Sequence, residues 1–329
     1  MTTLRARNPI ADLQELQRRF PLLQVVALVA LFAWGAISLP AFAQRSSLDS
    51  MLVLASFLGI AAAGQTIVIL IGGIDLSVPA IITAGNLMTT LLGGKHWGMG
   101  EIVAVILGTA ALVGAANGYL AHRYRVPALI ITLGSGSIVV GSVLAGTHAS
   151  VYGSVPGWFS RFVSPATKTA GLHVPPVVVL WIAITLVIGI VLHLTGIGRK
   201  LYATGANERA AQLALVRTEL VWVCAFAASA VCSAIAGILL GAWSGTGEQS
   251  IGDPYLFLSI AAVIVGGTSL VGARGDYWRT VLGSLILIVL TTNLVGHSYS
   301  EATQQIILGL IILVVVGTYG RDRPLRDRI

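Results

Sequence analysis

The chain has 329 residues, 56% hydrophobic and only 10% charged, against roughly 25% charged in an average soluble domain. That balance excludes an ordinary soluble globule and points to an all-α integral membrane protein of about ten transmembrane helices. The net charge of +7 is spread over short segments, none large enough to fold alone, so it reads as membrane topology and not as a nucleic-acid surface.

In chain order the candidate spans are 22–43, 51–71, 76–93, 102–120, 127–146, 175–195, 219–243, 255–272, 280–297 and 302–319. The whole chain, 1–329, reads as one polytopic domain. With the N-terminus inside, the inner segments carry 16 Lys and Arg and the outer loops only Arg45, Lys95, Arg161 and Lys168. This bias puts both termini in the cytoplasm of a multi-pass protein. Segments 1–20, 196–218 and the basic tail 320–329 are then cytoplasmic, and the loop 147–174 is periplasmic. The first span ends in Ala41-Phe42-Ala43, a signal-peptidase-like run. Its apolar part is longer than a secretory core, however, and it is read as a retained helix.

Catalytic signatures are missing. No G-x-x-x-x-G-K-[ST], H-E-x-x-H or G-x-S-x-G occurs, so the chain is not expected to be an enzyme or to bind a nucleotide, metal or cofactor. The histidines are single and near span ends, where solvated boundary positions are the plain reading. Cys224 and Cys232 are eight residues apart in one span, about 12 Å along a helix, too far for a disulfide.

The stretch "ILIGGIDLSVPAI" (69–81) sets Asp75 inside an apolar region, where a carboxylate costs roughly 2.5–3.5 kcal/mol. It reads as a helix break. Gly72 and Gly73 supply a left-handed end turn, Asp75 or Ser77 caps the next helix, and Pro79 falls within its first turn. The bland role for Asp75 is such a cap; the sharper one is direct substrate contact. A second break is expected at Gly266, Gly267 and Thr268 in "VIVGGTSLVGARGDYW" (263–278), extended by Gly272 and Gly275. "GAANG" (Gly114 to Gly118) and "GILLG" (Gly237 to Gly241) permit tight helix crossings, either within the chain or at a dimer contact.

Four segments, "GGIDLSVPA", "VPALIITLGS", "GRKLYATGANERAAQLALV" and "IAAVIVGGTSLVGARG", together resemble the ribose/galactose-type sugar permeases of bacterial ABC importers, in the same order from about residue 50 to 320. The resemblance implies a monosaccharide permease subunit of the inner membrane. A second permease subunit would pair with it, separate ABC ATPase subunits would energise it, and a periplasmic sugar-binding protein would feed it. The absent P-loop fits that division of labour. A carrier driven by an ion gradient is the alternative, although one buried acid does not make a proton relay.

On this reading the segment Gly205, Asn207, Glu208, Arg209, Ala210, Ala211 and Leu213 is an amphipathic coupling helix. Ala210, Ala211, Leu213, Ala214 and Leu215 would form its apolar side, for docking on the ATPase. Gln65, Asn86, Thr89, Asn117, Thr132 and Asn293 are the polar candidates for a sugar path. Interhelical hydrogen bonding is the plainer account of Thr89, Thr132 and Asn293, while for Gln65, Asn86 and Asn117 the two readings stand about level.

Overall fold

The computed structural model describes residues 21–147 and 153–319. The segments 1–20 and 320–329 and part of the 147–174 loop lie outside the described residues. Thirteen helices and no strand are found among those described: α1 (Leu22–Ser38), α2 (Arg45–Leu70), α3 (Val78–Gly94), α4 (Met99–Tyr124), α5 (Ala128–Thr147), α6 (Gly157–Val163), α7 (Pro176–Leu194), α8 (Gly196–Ala206), α9 (Glu208–Leu213), α10 (Thr218–Ser244), α11 (Pro254–Val265), α12 (Tyr277–Gly296) and α13 (Glu301–Tyr319).

Every expected span contains a helix, but only six, α2, α4, α5, α7, α10 and α12, are long and apolar enough to cross a membrane. The count of about ten full-length spans is narrowed accordingly. The helix expected from residue 76 starts at Val78, and the one expected to reach 272 stops at Val265. Positive-φ glycines, Gly72 and Gly267, end the preceding runs. Non-helical backbone at such depth is tolerated where protein surrounds it, and here Asp75, Ser77 and Thr268 are all buried.

The bundle is built around α2 and α10. Helix α10 packs on α2, α3 and α4, while α2 also meets α7, α11 and α12. In their most apolar windows α2 is 83% buried and the peripheral α5 only 17%. Small residues allow this. Gly64 of α2 faces the α10 backbone at Ser229, where a Cβ would stand 2.6 Å from that Cα. Gly114 abuts the Phe226 carbonyl, and a Cβ on Gly118 would lie 2.5 Å from that of Trp222, so "GAANG" seats α4 on α10. Gly237 abuts the Ile82 carbonyl, and Gly241 lies beside Asn86 and Thr89, so "GILLG" seats α3 on the other end of α10. Both motifs are therefore used inside the chain.

The first helix is a packed part of the fold. Asn293 Nδ2 on α12 donates to the Leu31 carbonyl of α1 at 3.2 Å, and Phe42 in the following turn is buried. Both cysteines are free thiols, Cys224 exposed and Cys232 buried.

Candidate functional site

The first break is a Schellman turn. Gly72, at φ 84°, donates its N–H to the Ile69 carbonyl at 2.9 Å, and Gly73 donates to Val68 at 3.0 Å. These bonds satisfy the last carbonyls of α2. The chain then climbs back along the bundle, so that Asp75 reaches α10 at Ser229, the level of Gly64 on α2. Asp75 is 1% exposed. Its Oδ1 accepts from the Ser77 N–H at 2.9 Å and the Ser77 hydroxyl at 2.5 Å. Its Oδ2 accepts from the Ser229 hydroxyl at 2.7 Å. Asn117 Nδ2 of α4 donates to Ser77 Oγ at 3.4 Å, and Thr132 Oγ1 of α5 accepts from the Leu76 N–H at 3.0 Å. One short loop is thus bonded to three helices. Such a carboxylate is held by geometry that no apolar residue can reproduce.

The second break is the same turn. Gly267, at φ 95°, donates to Ile264 at 2.8 Å, and Thr268 donates to Val263 at 3.1 Å. Gly266 keeps helical dihedrals as the C-cap of α11. The two breaks touch: the Ala273 N–H donates to the Leu70 carbonyl at 2.9 Å.

Helix α8 closes this junction. Gly205 rests against the Leu70 carbonyl and Ala273 N, leaving no room for a Cβ. The Tyr202 hydroxyl donates to the Gly275 carbonyl at 2.9 Å. Burial first, and then the charge of Asp276, push the Tyr202 phenol up to about 12, so it stays a donor at physiological pH. Asp276 Oδ1 caps α12 through the Trp278 N–H and lies 3.1 Å from His193 Nε2.

The continuous amphipathic helix expected over 205–216 is divided. Asn207 is extended and its side chain accepts from the Ala210 N–H at 3.0 Å, which starts the short α9. That helix ends in another Schellman turn, with Leu215 at φ 60° and the Val216 N–H on the Ala211 carbonyl at 3.0 Å. Ala211 faces the protein, whereas Leu213 and Leu215 are 87% and 91% exposed. The apolar side expected as one surface is split between an inward alanine and two outward leucines. Glu208 Oε1 pairs with His122 Nε2 of α4 at 2.9 Å, and Gln212 Nε2 donates to Thr218 Oγ1 at 2.9 Å. Glu208 and Gln212 therefore fasten α9 to the ends of α4 and α10.

Between these parts opens a cleft of about 550 Å³, lined by Gly72 and Gly73 of the first break, His122, Arg125, Arg209 and Trp222 among others. The structure thus brings the first helix break and the segment around α9 to one cleft.

A family model described as "Branched-chain amino acid transport system / permease component" matches residues 47–316. The chain belongs to this permease family. Among its relatives, the ribose import permease protein of Haemophilus influenzae is 32% identical over 298 residues, covering 88% of this permease and 90% of that protein. The ribose import permease protein of Escherichia coli strain K12 is 30% identical over 301 residues, 89% and 91% of the two chains. The fructose import permease protein of Rhizobium meliloti is 30% identical over 304 residues, 89% and 82% respectively. No solved structure matches the permease.

The permease distributes its six polar path candidates over four places. Asn117 and Thr132 gather at the first break, as above. Asn86 anchors the loop after α10: its Nδ2 donates to Ser244 Oγ at 3.3 Å and its Oδ1 accepts from the Glu248 N–H at 2.8 Å. Thr89 bonds back to the Gly85 carbonyl at 2.6 Å, and Asn293 ties α12 to α1. Gln65 is different, being fully buried on α2 with neither side-chain atom hydrogen-bonded. Residues that sequence reasoning missed are Ser229, Tyr202 and His122. Ser229 lies in an apolar helix with no motif, and Tyr202, inside "GRKLYATGANERAAQLALV", gives no sign in the sequence of its bond to Gly275. His122 looks like a boundary histidine, yet its side chain is 14% exposed and paired.

Proposed function

We propose that the permease is the membrane subunit of an ATP-binding-cassette importer that moves a monosaccharide across the bacterial inner membrane. It crosses ten times, with the four shorter apolar helices completing the set. Both termini, 196–218 and the basic ends lie in the cytoplasm, and 147–174 lies in the periplasm. A second permease subunit pairs with it, ATPase subunits bind below, and a periplasmic sugar-binding protein delivers from above. The sugar class is supported by the ribose and fructose names of its relatives, and the sidedness by the Lys and Arg bias.

The observation that carries the mechanism is the junction at the Leu70 carbonyl, where α8 and both breaks meet. The exposed Leu213 at the end of α9 and Leu215 in the turn after it offer the ATPase a knob. A left-handed leucine is strained by roughly 1–2 kcal/mol, and an exposed residue held in that state is a mark of function. A push on α9 passes through Asn207 to α8, and from Tyr202 and Gly205 to the two break loops. Those loops hold α3 and α12 in place against α10 and α2. Displacing them re-aims the helices that bound the path near Gln65, Asn117 and Thr132.

The test is uptake of labelled ribose and fructose into liposomes holding the permease with its ATPase and binding protein. Uptake should require internal ATP and survive collapse of the proton and sodium gradients. Uptake by the permease alone, abolished when those gradients collapse, would establish the ion-driven carrier instead.

A further inference from the structure

We propose that the cleft between the first break and α9 is a binding site for the phosphate headgroup of an anionic phospholipid. Its position is the first reason. The cleft lies where α4 ends, α5 begins and α10 begins, which is the boundary depth of three crossing helices. One wall is Val126, Pro127, Ala128 and Leu129, continuing into the exposed Ile130 and Leu133 on α5. A headgroup seated here has an apolar ridge along which its acyl chains can run.

The second reason is the state of the polar groups. Glu208 is engaged with His122 and Gln212, so the only acid lining the cleft among the described residues is taken. Arg125 and Arg209 also line it, and neither guanidinium has a hydrogen-bond or ion-pair partner among the described residues. Trp222 Nε1 is buried without an acceptor, and His122 Nδ1, 4.0 Å from Glu219, is buried without a hydrogen bond. A buried donor left unmade is costly. Two exposed guanidiniums beside an apolar wall are the complement of a phosphodiester at an interface. Basic pockets between helices at the cytoplasmic leaflet take anionic headgroups on the same physics. A neutral sugar would leave both cations uncompensated, so the chemistry favours the anion. The inference rests on the orientation proposed above, but not on transport.

The test uses the full chain purified in mild detergent and offered phosphatidylglycerol, phosphatidylcholine of the same acyl chains, or inorganic phosphate. Retained lipid is counted by native mass spectrometry. The wild type should hold phosphatidylglycerol in excess over phosphatidylcholine. That excess should fall about fivefold for each of Arg125→Gln and Arg209→Gln, taking roughly 1 kcal/mol per interfacial cation. Arg125→Lys, which keeps the charge, and Arg123→Gln, an exposed cation that does not line the cleft, should change it little. Equal retention of the two lipids, or an excess unchanged in the double glutamine variant, overturns the proposal. Stabilisation by inorganic phosphate with no lipid preference assigns the site to a free anion and overturns it as well. If the double variant keeps its lipid but loses a co-purifying ATPase, the cations serve a protein partner and the lipid assignment fails. None of these readouts requires uptake, so a failed transport assay leaves the test intact.

Discussion

The Ala273 N–H donates to the Leu70 carbonyl at 2.9 Å, so the end of one interrupted helix is bonded to the loop that follows another. Gly205 lies against the same carbonyl, and three segments far apart in sequence share one oxygen. Any movement of α8 relative to the bundle is felt at both interruptions.

Gly205→Ala adds a methyl where there is no space and should displace α8 without touching the exposed Leu213 and Leu215. The expected result is a complex that still binds and hydrolyses ATP but imports less sugar per ATP. Tyr202→Phe removes one hydrogen bond, about 0.5–1.5 kcal/mol, and should be a milder version. Measuring ATPase and uptake on the same liposomes checks this. Uptake and hydrolysis falling together in Gly205→Ala would count against a transmission role.

Asp75→Asn keeps an acceptor for Ser77 and a polar group for Ser229, and should fold normally with most transport intact. Asp75→Leu strips partners from three buried donors, at about 1–3 kcal/mol each, and should sharply lower the yield of folded protein. Size-exclusion profiles and uptake separate the cases. An asparagine variant that folds normally yet is inert would move Asp75 from a structural tie to a direct charge role.

Leu215→Gly retains the left-handed turn and relieves its strain, while deleting an exposed side chain. Thermal stability of the isolated permease should hold or rise slightly, and recovery of the ATPase on purification should drop. Leu213→Asp should do the same more severely. Full ATPase recovery in a variant carrying both Leu213→Asp and Leu215→Gly would refute α9 as the docking piece.

Gln65→Leu replaces an unpartnered amide with an apolar group of similar size. Removing the unmet hydrogen bonds should raise stability by about 1–3 kcal/mol, seen as a higher melting temperature. If the amide serves a hydrated or sugar-bound intermediate, uptake should fall in the same variant. A destabilised Gln65→Leu would mean that the amide has structural partners.

Sidedness can be checked by single cysteines at Ser154 and Leu213, in a background with Cys224→Ser and Cys232→Ala. An impermeant thiol reagent should label Ser154→Cys from the periplasm and Leu213→Cys only after the membrane is opened. Labelling of both from one side would reverse the proposed arrangement.

Much of this site was legible because glycine has few reasons to sit in an apolar run. Gly72 and Gly73 announced the first turn, and Gly114, Gly118, Gly237 and Gly241 announced close crossings. Their partners were not legible, since pairing α4 and α3 with α10 is a long-range matter. The two doublets turn at different members: the leading Gly72 turns the first, whereas Gly266 completes α11 and Gly267 turns the second. Leu270 and Val271 kept the apolar signal running past that point, which is why the span looked full length. Leu215 was hidden for the opposite reason, because a leucine in left-handed conformation leaves no mark in a sequence. His122 needed Glu208, and only the fold brings them together.

The bond between Asp75 and Ser229 spans 154 positions, and this bears on how the chain is made. At roughly 5–20 residues added per second, the ribosome needs about 8–30 s to reach Ser229 once Asp75 has emerged. Throughout that interval the acid and the interrupted backbone around it have no α10 to lean on. A nascent α2–α3 pair in that condition is poorly suited to bare lipid, so the membrane insertion machinery must shelter it until α10 is delivered. Stalling synthesis just before Thr218 should therefore leave this segment bound to the insertase, and stalling beyond Ser244 should release it.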